Sequence, residues 1–76
     1  MKSLGNAIEK YRHLKGWSLR ETAERSNVSH TCIALVEDGE ASLALTLRVA
    51  LTVGLPPGTV KRLAQRDVGQ MVSAAA

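Results

Sequence analysis

Apolar residues at Leu4, Ala7, Ile8, Tyr11 and Leu14 recur at steps of three and four, the spacing of a helix with one buried side, and Gly16 ends the run. Ser18 followed by Glu21 forms a capping box, so a second helix is predicted from residue 19 through Ala23 to about Arg25. Asn27 tolerates the left-handed backbone of a tight turn, Ser29 can cap the next segment, and a third helix is predicted over roughly 29 to 37, closed by Gly39. Ser42 can start a fourth, "LALTLRVALTVGL", apolar on nearly every face with Arg48 its only charge, which predicts burial on several sides. "PPG" at 56 to 58 breaks the chain, and a short basic helix should run from Thr59 to about Arg66 with Val60, Leu63 and Ala64 inward. The closing "VGQMVSAAA" carries no clear signal. The pattern predicts an all-α protein: a compact bundle of about five short helices, with one domain over 1–68 and a C-terminal tail over 69–76, either disordered or associated with a dimer.

Composition narrows this further. With 76 residues there is room for one core and no second, and cores of this size often gain stability by pairing. Aromatics make up 3% and Phe is absent, so Leu, Val, Ile and Ala must build the interior. Ten Lys and Arg against seven Asp and Glu leave +3, which permits contact with nucleic acid without demanding it. The single cysteine, Cys32, excludes an internal disulfide and fits a reducing cytoplasm. The opening "MKSLGNAIEK" lacks the apolar stretch of a signal peptide, and no 18-residue apolar run occurs, so a cytoplasmic protein without membrane contact is expected.

Placed on a helical wheel at about 100° per residue, Ile33, Val36 and Ser29 share one side of the third helix, while Thr31, Ala34, Leu35 and Asp38 face away with His30 between. In a helix-turn-helix, here residues 19–37, the second helix enters the major groove and its first residues meet base edges. His30, Thr31, Ala34 and Leu35 are then the candidate base readers. His30 can donate to guanine, Thr31 can bond a base edge, and Ala34 and Leu35 can pack on thymine methyls. The helix offers no Arg, Asn or Gln for a bidentate contact worth about 1–3 kcal/mol, so discrimination per half-site should be modest. Phosphate contact falls to the start of the second helix and to Lys15, Ser18, Arg20, Arg25 and Ser29.

The stretch from Leu4 to Leu55 resembles the lambda-repressor and Cro-like helix-turn-helix family of phage repressors and small bacterial regulators. Ile8 and Arg12 match its first helix, and Ser18, Glu21, Ala23, Asn27, Val28, Ser29, Ile33, Glu37 and Gly39 follow its pattern in order. The resemblance implies a lambda-repressor-like fold, a sequence-specific regulator of transcription, most naturally a repressor, in a bacterial or phage-infected host, and a structural ion pair between Arg12 and Glu37. The chain departs from the family at Leu19, where Gln is common, at Leu35, where a long polar reader is common, and at Thr22, where Leu is usual.

One such module covers few base pairs, so a homodimer on an inverted repeat in double-stranded DNA is expected, with Leu55, Val60, Leu63, Met71 and Val72 as the candidate dimer surface. The alternative partner is a protein, bound by the apolar Leu19, Ala34 and Leu35 face as an anti-repressor, adaptor or antitoxin-like module would bind it. Other residues read more plainly. Trp17 plugs the corner between the first two helices, and Cys32 packs half-buried. Arg20 and Arg25 are either phosphate contacts or a solvated face balanced by Glu21 and Glu24. His30 and Cys32 diverge on a helix and make no metal site. No Gly-rich phosphate loop or nucleophile arrangement occurs, so neither cofactor nor catalysis is expected.

Overall fold

Three helices begin at a serine whose hydroxyl accepts a backbone N–H three residues on: Ser18 from Glu21 at 3.0 Å, Ser29 from Cys32 at 3.3 Å and Ser42 from Leu45 at 3.2 Å. Each cap satisfies one of the donors that a helix start leaves without a partner. The structure, a computed structural model, describes the backbone of residues 1–75 and side-chain surroundings through Gln70. It is all-helical among the described residues: α1 (Lys2–Lys15), α2 (Leu19–Ser26), α3 (His30–Glu37), α4 (Leu43–Thr52) and α5 (Pro57–Ala75). Gly16, at φ 71°, stops α1, and Asn27, at φ 58°, stops α2 in the left-handed conformation that Asn tolerates.

Leu4, Ile8, Ile33, Val36, Val49 and Val53 are fully buried and form one core, joined by Ala23, Ala50, Leu55 and Val60. The inward stripe of α1 is the expected one except at Leu14, which is 74% exposed. Leu14 lies about 80° off the Leu4 direction, at the rim of the stripe in the last turn. Helix α4 is buried on several sides, as expected: it packs against the other four helices, with Leu43, Leu45 and Leu47 half-buried against the core, and keeps one narrow face in solvent. Thr46, Val49 and Ala50 face in, while Ala44, Arg48 and Leu51 form an exposed face.

Two features hold α1 in place. At Gly5 the backbone of α1 passes so close to α3 that a Cβ would stand 2.6 Å from the Val36 carbonyl oxygen and 2.8 Å from that of Glu37. At its start, α1 has no acidic residue in the first turn, and the carboxylate of Asp67 supplies one from α5, accepting the N–H of Ser3 at 2.9 Å and of Leu4 at 3.0 Å. This anchor corrects the expected extent of the last helix. Helix α5 starts at Pro57, a residue well suited to a first helical position, and continues through the anchored Asp67 to Ala75 instead of ending near Arg66. Among the described residues, no helix is long and apolar enough to cross a membrane.

Candidate nucleic-acid interface

Helices α2 and α3 are joined by a short turn whose geometry is set by Asn27. Its N–H donates to the Glu24 carbonyl at 3.2 Å, and the next N–H, of Val28, reaches back to Ala23 at 3.0 Å. Ser29 then caps α3 at once. Ile33, Val36 and Glu37 turn inward, and His30, Thr31, Leu35 and Asp38 are exposed, with Ala34 half-buried between them. The four candidate readers therefore share the outward side of α3, and Leu35 is 41% exposed there. Leu19, at the start of α2, is half-buried against the core.

Arg12 and Glu37 lock α1 to the end of α3. Arg12 Nε donates to Glu37 Oε2, Nη2 donates to Oε1 at 3.1 Å, and Nη1 donates to the Trp17 carbonyl at 2.9 Å. The Glu37 carboxylate raises the pKa of Arg12, against the opposing effect of burial. Buried and holding Glu37 and the Trp17 carbonyl through three of its five N–H groups, Arg12 is committed to this lock.

The cations at the α1–α2 corner are exposed, and two of them stand over one aromatic ring. Lys15 Nζ stands 5.1 Å from the centroid of the Trp17 ring, and Arg25 Cζ stands 4.3 Å from it. Arg25 Nε also lies 3.6 Å from Glu21 Oε1. The capping box expected at Ser18 is thus half-formed: the Ser18 hydroxyl caps α2, while the Glu21 carboxylate turns to Arg25. Arg20 is exposed and, like Lys15, has no carboxylate in ion-pair range among the described residues. The hydroxyls of Ser18 and Ser29 both accept cap bonds, and Ser29 donates to Cys32 Sγ at 3.2 Å. Trp17 does fill the corner, half-buried against the core, but its hold on two cations goes beyond the expected plug. The adjacent Lys15 is a local hint of it, whereas Arg25 arrives only through the fold.

The expected dimer surface needs correction. Leu55 is 2% exposed and Val60 is 7% exposed, both inside the protomer's own core, and Leu63 packs half-buried against it. Leu55 and Val60, shielded within one chain, cannot line a surface for another, whereas Leu63 keeps part of its side chain exposed. The side chains of Met71 and Val72 lie outside the described residues. Among the described residues, no group of three or more His, Cys, Asp or Glu stands close enough to hold a metal ion. No family model, curated protein or solved structure matches the chain.

Proposed function

We propose that this chain is a sequence-specific, duplex-DNA-binding regulator of transcription, with α2 and α3 as a lambda-repressor-like helix-turn-helix and α3 entering the major groove. The observation that carries this is the outward side of the first two turns of α3, a strip of His30, Thr31, Ala34 and Leu35 free of formal charge that ends at the exposed Asp38, on a domain whose α1–α2 corner presents Lys15, Arg20 and Arg25. A strip of this kind can approach base edges with little electrostatic cost, and the cations neutralise phosphates beside it. His30 and Thr31 supply the polar contacts, while Ala34 and Leu35 supply methyl contacts to thymine. Ser18 and Ser29 sit at the helix starts, where N–H groups favour phosphate. Two copies on an inverted repeat give such a small reader a useful site length.

Selection from a random duplex pool, with the stoichiometry of the recovered complex, tests this reading. An enriched inverted repeat bound by two chains supports it, and no enrichment, with only salt-sensitive non-specific binding or none, overturns it. A second reading has one observation in its favour: Leu35 is exposed beside Ala34, so the same face offers apolar area to a protein partner. On that reading a protein, not DNA, covers α3.

A further inference from the structure

The corner between α1 and α2 brings two like charges to one ring. Lys15 is the last residue of α1, Arg25 belongs to the last turn of α2, and Trp17 sits in the segment that joins these helices. Two like charges repel, and among the described residues only Glu21 stands in ion-pair range of either, at 3.6 Å from Arg25. Neither Lys15 nor Arg25 donates a hydrogen bond to any acceptor among the described residues. The aromatic face is what gathers them, through attraction of each cation to its negative quadrupole.

The backbone that carries the ring is itself fixed. The N–H of Trp17 donates to the Arg12 carbonyl at 3.2 Å, its carbonyl accepts Arg12 Nη1 at 2.9 Å, and Arg12 is held by Glu37. The ring projects from this lock between α1 and α3 and packs half-buried against the core. A π face differs from a carboxylate in one decisive respect. It orients a cation without neutralising it, and it leaves the in-plane N–H groups of a stacked guanidinium, and the outward N–H groups of an ammonium, free for an anion.

We propose that Trp17 is a positioning residue for phosphate contact: it holds Lys15 and Arg25 as a preorganised pair aimed at the phosphate backbone of duplex DNA. This rests on the duplex-binding reading above. Preorganisation lowers the ordering cost of two long, flexible side chains on binding, so Trp17 acts on affinity without touching phosphate.

Because the chain holds one tryptophan, biosynthetic replacement by tetrafluorotryptophan changes this residue alone and weakens the π face with little change of shape. Duplex affinity should fall about tenfold, as expected for two weakened cation–π contacts, with the slope of log K against log salt unchanged and the melting temperature retained. The double variant Lys15→Gln, Arg25→Gln should instead lower that slope by about 1.8, the loss of two phosphate contacts. Trp17→Phe should keep most of the affinity, and Trp17→Leu should lose about as much as the fluorinated protein. Fluorinated protein that binds duplex as tightly as the unmodified protein overturns the positioning role and leaves the duplex reading standing. Unmodified protein that binds no duplex at low salt overturns both.

Discussion

The carboxylate of Asp67 accepts the backbone N–H of Leu4 at 3.0 Å across 63 positions of sequence, so the last helix caps the first. Burial pushes the Asp67 pKa upward, but the N–H groups of Leu4 and Ser3, the Ser3 side chain and the charge of the amino terminus pull it down, and the net value lies below the ordinary one. That direction fixes the sign of the pH dependence. A depressed folded-state pKa contributes stability above the unfolded value of about 3.9, and that contribution is lost as pH falls through the lower folded value. Asp67→Asn should cost about 1–3 kcal/mol at neutral pH, because it places amide donors against helix donors. Urea titrations at several pH values check this. The variant should also lose less stability than the wild type below about pH 4, the ordinary carboxylate range, and an identical acid limb would refute the assignment.

Gly5 makes a sharper test of packing. Alanine is the better helix former by about 1 kcal/mol, so helix propensity alone predicts that Gly5→Ala stabilises. The structure predicts the opposite, since the new methyl would meet the Val36 and Glu37 carbonyls, which are backbone atoms that cannot swing away. A net loss of about 1–3 kcal/mol is expected, read as a lower urea midpoint with unchanged slope.

Asp67 and Gly5 also mark where the sequence stops being legible. The serine caps at 18, 29 and 42 and the turn at Asn27 are readable because each acts on neighbours within four positions, and the inward side of α3 is readable from its period. The Arg12–Glu37 contact is reachable only through resemblance. Asp67 and Gly5 carry no local signal, because what defines them is a partner some thirty or more residues away. The same holds for Arg25 on Trp17, and for Leu55, whose apolar side chain reads as surplus surface until the fold places it in the core, whereas Val60 sits on the inward stripe its spacing predicts. The uncharged stretch after Asp67 spaces Val68, Met71 and Val72 at helical steps, but without a cap, a charge pattern or a stop, and α5 continues along it from the turns already docked.

The Arg12–Glu37 pair is buried, and removing one member strands the other. Glu37→Ala should cost about 3–5 kcal/mol, since Arg12 would keep a buried charge with no carboxylate hydrogen-bonded to it, its contacts being the Trp17 carbonyl and the His13 ring. The double variant Arg12→Met, Glu37→Leu should be more stable than Glu37→Ala alone, because the uncompensated charge is gone. Thermal melts of the three proteins decide it. A double variant that melts below the single one would show that the ion pair, and not the stranded charge, dominates.

Arg20 and Leu35 together separate the two functional readings. Arg20 is exposed and has no acidic partner among the described residues, so Arg20→Gln should change stability by no more than about 0.5 kcal/mol. Any binding effect then reports on the ligand. If the ligand is duplex DNA, losing one phosphate contact should weaken all sequences alike and lower the salt slope by about 0.9. Thr31→Ala should leave that slope alone and change which sequences bind, since an exposed hydroxyl on the outward side of α3 meets base edges and not phosphate. If the ligand is a protein on the α3 face, Arg20→Gln should be neutral. Leu35→Asp would then abolish binding by placing a charge in the middle of an apolar contact. Fluorescence titrations at three salt concentrations, with each variant and a selected duplex, distinguish the cases. A salt slope unmoved by Arg20→Gln would remove Arg20 from the phosphate set, and loss of partner binding confined to Leu35→Asp would shift the function of α3 from reading DNA to holding a protein.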